Sequence, residues 1–291
     1  MALPNRPLKT DGACAPLLNA IAFGGRDPQR TRRCSFRIDP VLIDPMSSSE
    51  KSIAAYENEA RVASYDADME IMHPNRHRMA EIIVGVLSAS AREPKLVVDL
   101  GTGTGFLLEG LLSRFPELRA IAVDGAQSMT ALAQARLKEA ATRVDFRVCD
   151  FRCLADVCSD VRSADAVVST FALHHLTAEE KSTLARNAFS MLAPDGWFLC
   201  GDLVLSRDQH LEALIQRMRV RGIVARAAGK DPRFGNEMKT RASLDRIEEE
   251  DNDQPQDLAS DLSGIKAAGF QHVTVLWQET REVVFGGVKC V

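Results

Sequence analysis

Three glycines at alternate positions, Gly101, Gly103 and Gly105, follow an apolar run that ends in Asp99 and Leu100. A turn that only reverses the chain needs one glycine. Three in the stretch GTGTG point to a ligand brought close to the backbone, because no Cβ intervenes. Asp99 constrains the charge of that ligand. A carboxylate two residues before the first glycine would repel a pyrophosphate, whereas it suits a cation. The dinucleotide-binding pattern G-x-G-x-x-G also requires a glycine where this chain has Phe106. Asp124 stands 19 residues beyond Gly105 (124 − 105), and an ionised acid there can accept from both hydroxyls of a ribose. That feature does not discriminate, since nicotinamide enzymes place an acid at similar spacing. Asp150 is placed to accept from an adenine amino group, with Phe151 and Met129 on either side of the ring. His174 and His175 are candidate general bases, histidine being the side chain that titrates nearest neutrality.

A cationic portion, a ribose and an adenine together describe S-adenosyl-L-methionine, which carries an ammonium and a sulfonium. The candidate set for it comprises Asp99, Gly101, Thr102, Gly103, Thr104, Gly105, Asp124, Gly125, Met129, Asp150, Phe151 and Thr170.

These residues need a scaffold, and the pattern supplies one. The short apolar runs KLVVDL, RAIAVD, VDFRVCD, ADAVVSTFAL and WFLCGDLVL alternate with stretches of helical spacing. One of these, AEEKSTLARNAFSML, carries Thr177 and Glu180 at capping-box spacing. Strands alternating with helices imply crossover connections, hence an α/β, doubly wound, mostly parallel sheet covered on both faces. Each acid and histidine above then falls at the carboxyl end of a strand, where ligands bind in such sheets. QHVTVLWQ and TREVVFGGVKC are separated by too few residues for a crossover and should form an antiparallel C-terminal hairpin.

Between the fifth strand and that hairpin, residues 207–245 read as a helical cap with a basic run (Arg217, Arg219, Arg221, Arg226, Lys230, Arg233), followed by the acidic segment IEEEDNDQPQD. The arginines suit a carboxylate or phosphate on an acceptor, or an RNA backbone; equally, they suit pairing with the neighbouring acids. His73 and His77 are four apart, as helical metal ligands are. Pro74 begins helices rather than sitting inside them, and no third ligand follows, so the pair is expected on the surface and no metal is expected.

The bulk numbers are those of a soluble chain. Its 291 residues are 45% hydrophobic and 26% charged with net charge −4, which gives no general attraction to nucleic acid or an anionic membrane. No apolar run spans a bilayer. Seven cysteines without a CxxC pair indicate neither a disulfide framework nor a zinc knuckle, and a reducing cytoplasm fits. Residues 1–48, rich in Pro, Gly and Arg without periodicity, are expected to be a disordered extension, and residues 49–291 one domain.

In order and spacing, VVDLGTGTG, IAVDGAQSM, VDFRVCDF, DAVVSTFALHHL and MLAPDGWF resemble the successive motifs of class I S-adenosylmethionine-dependent methyltransferases, over residues 55–291. ALHHL and the tail look most like the small bacterial and archaeal type. The tail is also similar to the family that makes carboxy-S-adenosylmethionine for wobble-uridine modification. The resemblance implies a methyltransferase acting on a small-molecule acceptor under the cap. The alternatives are a tRNA-modification enzyme, by direct methylation or by making a carboxylated donor, and a non-catalytic cofactor-binding subunit. It also implies that Tyr65, in ASYDADM, closes over the cofactor. A homodimer is compatible with all of these readings, and nucleic acid is the less favoured partner.

Overall fold

The computed structural model describes residues 48–290. The N-terminal extension expected over 1–48 lies outside the described residues but for Ser48. Three helices come first: α1 (Ser48–Ala55), α2 (Glu59–Met72) and α3 (Arg76–Ala89). The alternating part follows as β1 (Leu96–Leu100), α4 (Phe106–Arg114), β2 (Arg119–Asp124), α5 (Gln127–Arg136), β3 (Val144–Val148), α6 (Leu154–Val157), β4 (Ala164–Thr170), α7 (Ala178–Met191) and β5 (Leu192–Leu203). Then come α8 (Gln209–Ala227), α9 (Glu237–Glu250), α10 (Leu258–Ala267), β6 (Gln271–Glu279) and β7 (Glu282–Lys289).

The seven strands lie in the order β3-β2-β1-β4-β5-β7-β6. β1 to β5 run parallel, and β7 is antiparallel to both β5 and β6. The C-terminal hairpin is therefore antiparallel as the short connection requires, and β7 rather than β6 joins the parallel part. One face of the sheet packs Leu184, Ala188 and Ile265 from α7 and α10; the other packs Met79, Ile83, Leu108 and Leu111 from α3 and α4. Because β1 is flanked by β2 on one side and β4 on the other, the strand order reverses there. A crevice opens outside the carboxyl ends of those strands.

Two details depart from the pattern-based reading. β5 begins ahead of the apolar run WFLCGDLVL and takes in Pro194-Asp195-Gly196, where the register shifts against β4 and Asp195 takes φ +63°. The cap helix α9 runs on to Glu250, so the first acids of IEEED are helical. The capping box forms as the spacing predicts: Thr177 accepts from the Glu180 N–H at 3.2 Å, and the Glu180 carboxylate accepts from the Thr177 N–H at 2.8 Å. Thr177→Ala should cost about 1 kcal/mol, read as a lower urea midpoint with an unchanged slope.

Candidate active site

The glycine turn divides its work. After β1, the Gly101 and Thr102 N–H groups donate to the Val123 carbonyl at 2.8 and 3.1 Å, which ties the turn to β2. All three glycines have positive φ, at 69°, 55° and 78°. Gly101 and Gly105 are glycine also for packing. A Cβ on Gly101 would stand 2.3 Å from the Ala172 Cβ, and one on Gly105 would crowd Ala133 and Leu137 of α5 at 3.2–3.3 Å. Only at Gly103 would a Cβ meet nothing nearer than 3.9 Å. The middle glycine is the one with open space beside it.

Asp124 holds this turn. Its carboxylate accepts from the Gly103 N–H at 2.7 Å and the Ala126 N–H at 2.9 Å, and burial pushes its pKa up to about 6 despite those two donors. Asp99 lies deeper and is 1% exposed, with no hydrogen-bond partner on either carboxylate oxygen. Burial raises its pKa to about 7, against the nearby Thr102 hydroxyl and with the Asp124 charge. An orphaned carboxylate of this kind is costly unless a cation reaches it.

A small cavity above the turn is lined by Tyr65, Gly101, Gly103, Asp124, Gly125, Met129, Asp150, Phe151 and His175 among the sequence candidates. Asp150 also caps the short 3-10 turn Phe151–Cys153, accepting from the Arg152 N–H at 2.9 Å. Five of the cofactor candidates fall outside the lining, as does His174, which borders a second cavity. Asp99 sits beneath it, and Gly105 belongs to the helix packing. The Thr102 hydroxyl donates to the Asp99 carbonyl at 3.3 Å. Thr104 faces away, its hydroxyl bonded to Asp66, Arg76 and Arg136. Thr170 packs at the Gly201 position between β4 and β5.

The sequence reading did not foresee what covers this cavity. Ile53 of α1 lies so close that a Cβ on Gly125 would meet it at 2.8 Å. Glu57, just after α1, accepts from the Ser128 N–H and hydroxyl. Tyr56 and Tyr65 meet edge to face at 6.0 Å between centroids. Tyr65 is thus one part of a wall shared with Ile53 of α1 and with Tyr56.

Behind Tyr56, Tyr65 and Phe171 opens a larger cavity of about 330 Å³, bounded by α2 and the cap helices. Its arginines are committed to acids: Arg61 to Asp251, Arg219 to Glu248, and Arg233 to Asp68 and Asp231. Of the basic run, Arg219, Arg221 and Arg233 pair with acids, while Arg226 donates to the Ile71 carbonyl.

The histidine pair lies at the junction of the two cavities, in a 3-10 turn (Leu173–His175) after β4. Both rings are 5% exposed and stand 4.2 Å apart. His174 Nδ1 is 2.5 Å from an Asp202 oxygen and its Nε2 is 3.5 Å from Asp253. His175 Nδ1 lies 3.0 Å from the same Asp253 oxygen, and its Nε2 is 3.4 Å from the Tyr56 hydroxyl. Burial alone would lower the His174 pKa, but Asp202 and Asp253 outweigh it and hold it above the ordinary value. Asp253 is brought down to about 2 against its own burial, chiefly by His174 and His175.

Asp202, Asp251 and Asp253 were not singled out in the sequence. Asp202 falls within a predicted strand, and the other two within the acidic segment offered as partners for the cap arginines. They turn inward because Asn252 takes φ +53° and the Gln254 N–H donates to the His174 carbonyl at 2.7 Å. A D-N-D triplet after a helix is a weak signal for such a reversal. The expected surface pair of histidines also needs correction. His77 is exposed beside Glu70, but His73 is buried, 3.1 Å from Glu282 at the start of β7, because the chain bends at Pro74.

Residues 97–196, from β1 into β5, match the family model described as a methyltransferase domain. An uncharacterized methyltransferase of Bacillus licheniformis is 30% identical over 143 residues, covering 49% of this chain and 62% of that protein. A carboxy-S-adenosyl-L-methionine synthase of Helicobacter pylori is 23% identical over 220 residues, covering 74% of this chain and 85% of that protein. The chain spans 62% and 63% of the length of the first two curated relatives. Among solved structures, magnesium protoporphyrin IX methyltransferase from Synechocystis PCC 6803 with bound SAH superposes with a TM-score of 0.56 at 14% identity. That match covers 84% of this chain and 100% of the other, and it speaks for the fold. Residues 97–196 are thus a methyltransferase domain by sequence, and the sheet order is the one such structures share.

Proposed function

We propose that the protein transfers a methyl group from S-adenosylmethionine to a small-molecule acceptor. One observation carries the reading: a buried carboxylate without a partner, Asp99, lies under a glycine turn with open space at Gly103. An ammonium is the group that this carboxylate lacks. Asp124 keeps lone pairs for a ribose after accepting from two backbone N–H groups. Asp150, Phe151 and Met129 suit the adenine. When bound, the cofactor supplies a methyl group already activated by a sulfonium, so the chain's task is placement and exclusion of water. Thr104 and Thr170 have no part in this reading, and Thr102 and Gly105 act only through the shape of the turn.

The acceptor occupies the larger cavity, whose ion-paired arginines and apolar patches (Met69, Met72, Phe171) favour a small molecule over a nucleic-acid backbone. Its nucleophilic atom approaches past His174 and Asp253 at the junction. No helix among the described residues is long and apolar enough to cross a membrane. The cytoplasm is the compartment we infer, since no disulfide joins the described cysteines.

Native mass spectrometry of freshly purified protein, followed by titration with S-adenosylmethionine, tests the donor. Asp124→Ala should weaken binding about a hundredfold, since hydrogen bonds to a charged group contribute about 1.5–3 kcal/mol each. Retention of a nicotinamide dinucleotide, or equal affinity in the variant, would sink the reading. A bound mass larger by one carboxylate would favour the second reading, a carboxylated donor, which the Helicobacter pylori relative's name suggests.

A further inference from the structure

We propose that His174, His175 and Asp253 form a binding site for a divalent transition metal of the zinc type at the junction of the two cavities. The inference rests on the methyl-transfer reading only for what the metal would do, not for whether it binds.

Among the described residues, these three form the one group of histidine, cysteine and acidic side chains whose ligand atoms cluster closely enough, all within 4.8 Å of one another. A tetrahedral ion at zinc-to-ligand distances of about 2.0–2.1 Å sets its ligand atoms about 3.3 Å apart. The observed separations from the Asp253 oxygen, 3.5 Å to His174 Nε2 and 3.0 Å to His175 Nδ1, bracket that value. His175 Nδ1 and Asp253 Oδ1 are both buried and 3.0 Å apart, so two of the ligand atoms are already held side by side.

The surroundings of the ligands point the same way. Metal-bound histidines almost always donate their other ring nitrogen to a carboxylate, a backbone carbonyl or water, which fixes the tautomer and makes the ligand more basic. His174 Nδ1 has Asp202, itself 1% exposed, and His175 Nε2 has the Tyr56 hydroxyl. Tyr56 in turn donates to Asp251 at 3.0 Å. His174 and Asp253 border the 330 Å³ cavity, so the fourth position opens towards the acceptor. An acceptor hydroxyl coordinated there would lose its proton more readily, to water in the open cavity, and as an oxyanion would take the methyl group as the donor's S–CH3 bond breaks, leaving the neutral thioether. The class of acceptor this site favours is an alcohol, phenol or enol oxygen rather than an amine.

The test uses untagged full-length protein, freed of metal by dialysis against a chelator and titrated with Co²⁺. A saturable one-to-one visible d–d band of a four-coordinate ion, displaced by Zn²⁺, is expected. Asp253→Asn and His174→Gln should weaken Co²⁺ binding at least a hundredfold, and Asp202→Asn about 10–100-fold through ligand orientation. His77→Ala should change nothing. Absence of the band in the wild type, or a band that persists in Asp253→Asn and His174→Gln, overturns the proposal. Should those variants not fold, ring-nitrogen NMR of the wild type decides. Zn²⁺ must shift the signals of His174 and His175 and leave His77 and His210 unmoved; any other pattern overturns it. If Co²⁺ fails to bind while S-adenosylmethionine still does, the metal falls and the donor reading stands. The reverse result sinks the donor reading alone.

Discussion

Asp99→Asn should have opposite effects on binding and on stability. Affinity for S-adenosylmethionine is expected to drop at least a hundredfold, because an amide cannot neutralise the ammonium. The ligand-free protein, in contrast, should become more stable at pH 8. In the folded state the Asp99 pKa is raised from 3.8 to about 7, and the contribution of such a group is fully present below the unfolded value. It is lost as pH rises towards the folded value, at about 1.4 kcal/mol per pH unit. Over that window the loss reaches about 4 kcal/mol. A buried amide without partners itself costs about 1–3 kcal/mol, which leaves a net gain on the order of 2 kcal/mol for the variant. Urea melts at pH 5 and pH 8 should therefore separate the two proteins mainly at the higher pH. The wild type should also bind the cofactor about tenfold more weakly for each pH unit below 7, since only the ionised carboxylate pairs. Asp124, which faces Asp99 and carries a pKa of about 6, adds to that fall at the acid end. A variant that binds normally, or that is less stable at pH 8, would contradict this account of Asp99.

Gly101→Ala should be the most damaging single methyl group added to the turn. The new Cβ would stand 2.3 Å from that of Ala172, far inside contact distance, on a backbone with φ +69°. The left-handed conformation costs roughly 1–2 kcal/mol and overpacking typically 1–3 kcal/mol more, so a loss of about 3–4 kcal/mol is expected. Gly103→Ala carries only the backbone cost, but it should weaken cofactor binding because its Cβ enters the open space. A double-mutant cycle separates the two causes. Ala172→Gly should recover the overlap part of the Gly101→Ala loss and none of the backbone part. Additive effects would show that the overlap is relieved by movement elsewhere.

The fold was legible because its signals are local. Apolar runs of five or six residues alternate with helical spacing, and the glycine turn, capping box and hairpin each declare themselves within a dozen residues. The candidate site was legible only along the strand ends, which is why Gly101, Gly103, Asp124, Asp150 and the histidine pair come together. Its other walls depend on chain reversals that leave no periodic trace. Asp251 and Asp253 lie in the acidic segment offered as partners for the cap arginines, yet Asn252 turns both inward. Thr104 alternates with the glycines and so seemed to share their face, but positive φ at each glycine rotates it towards Arg76 and Arg136. His73 and His77 shared a helical spacing that the bend at Pro74 removes, sending one to Glu282 and leaving the other in water.

The position of β7 has a consequence for how the molecule is made. Every other strand is synthesised before it, yet it belongs in the interior of the sheet, between β5 and β6. Until it emerges from the ribosome, β5 presents an unpaired edge and β6 has no neighbour. Glu282 and Arg281, which meet His73 and the Val204 carbonyl behind the larger cavity, arrive with it. The donor side can therefore assemble during synthesis, while the acceptor side waits for the final insertion. A premature stop ahead of Glu282 would remove a central strand rather than trim a border. The truncated chain would keep its glycine turn and expose an edge ready to pair with another nascent copy.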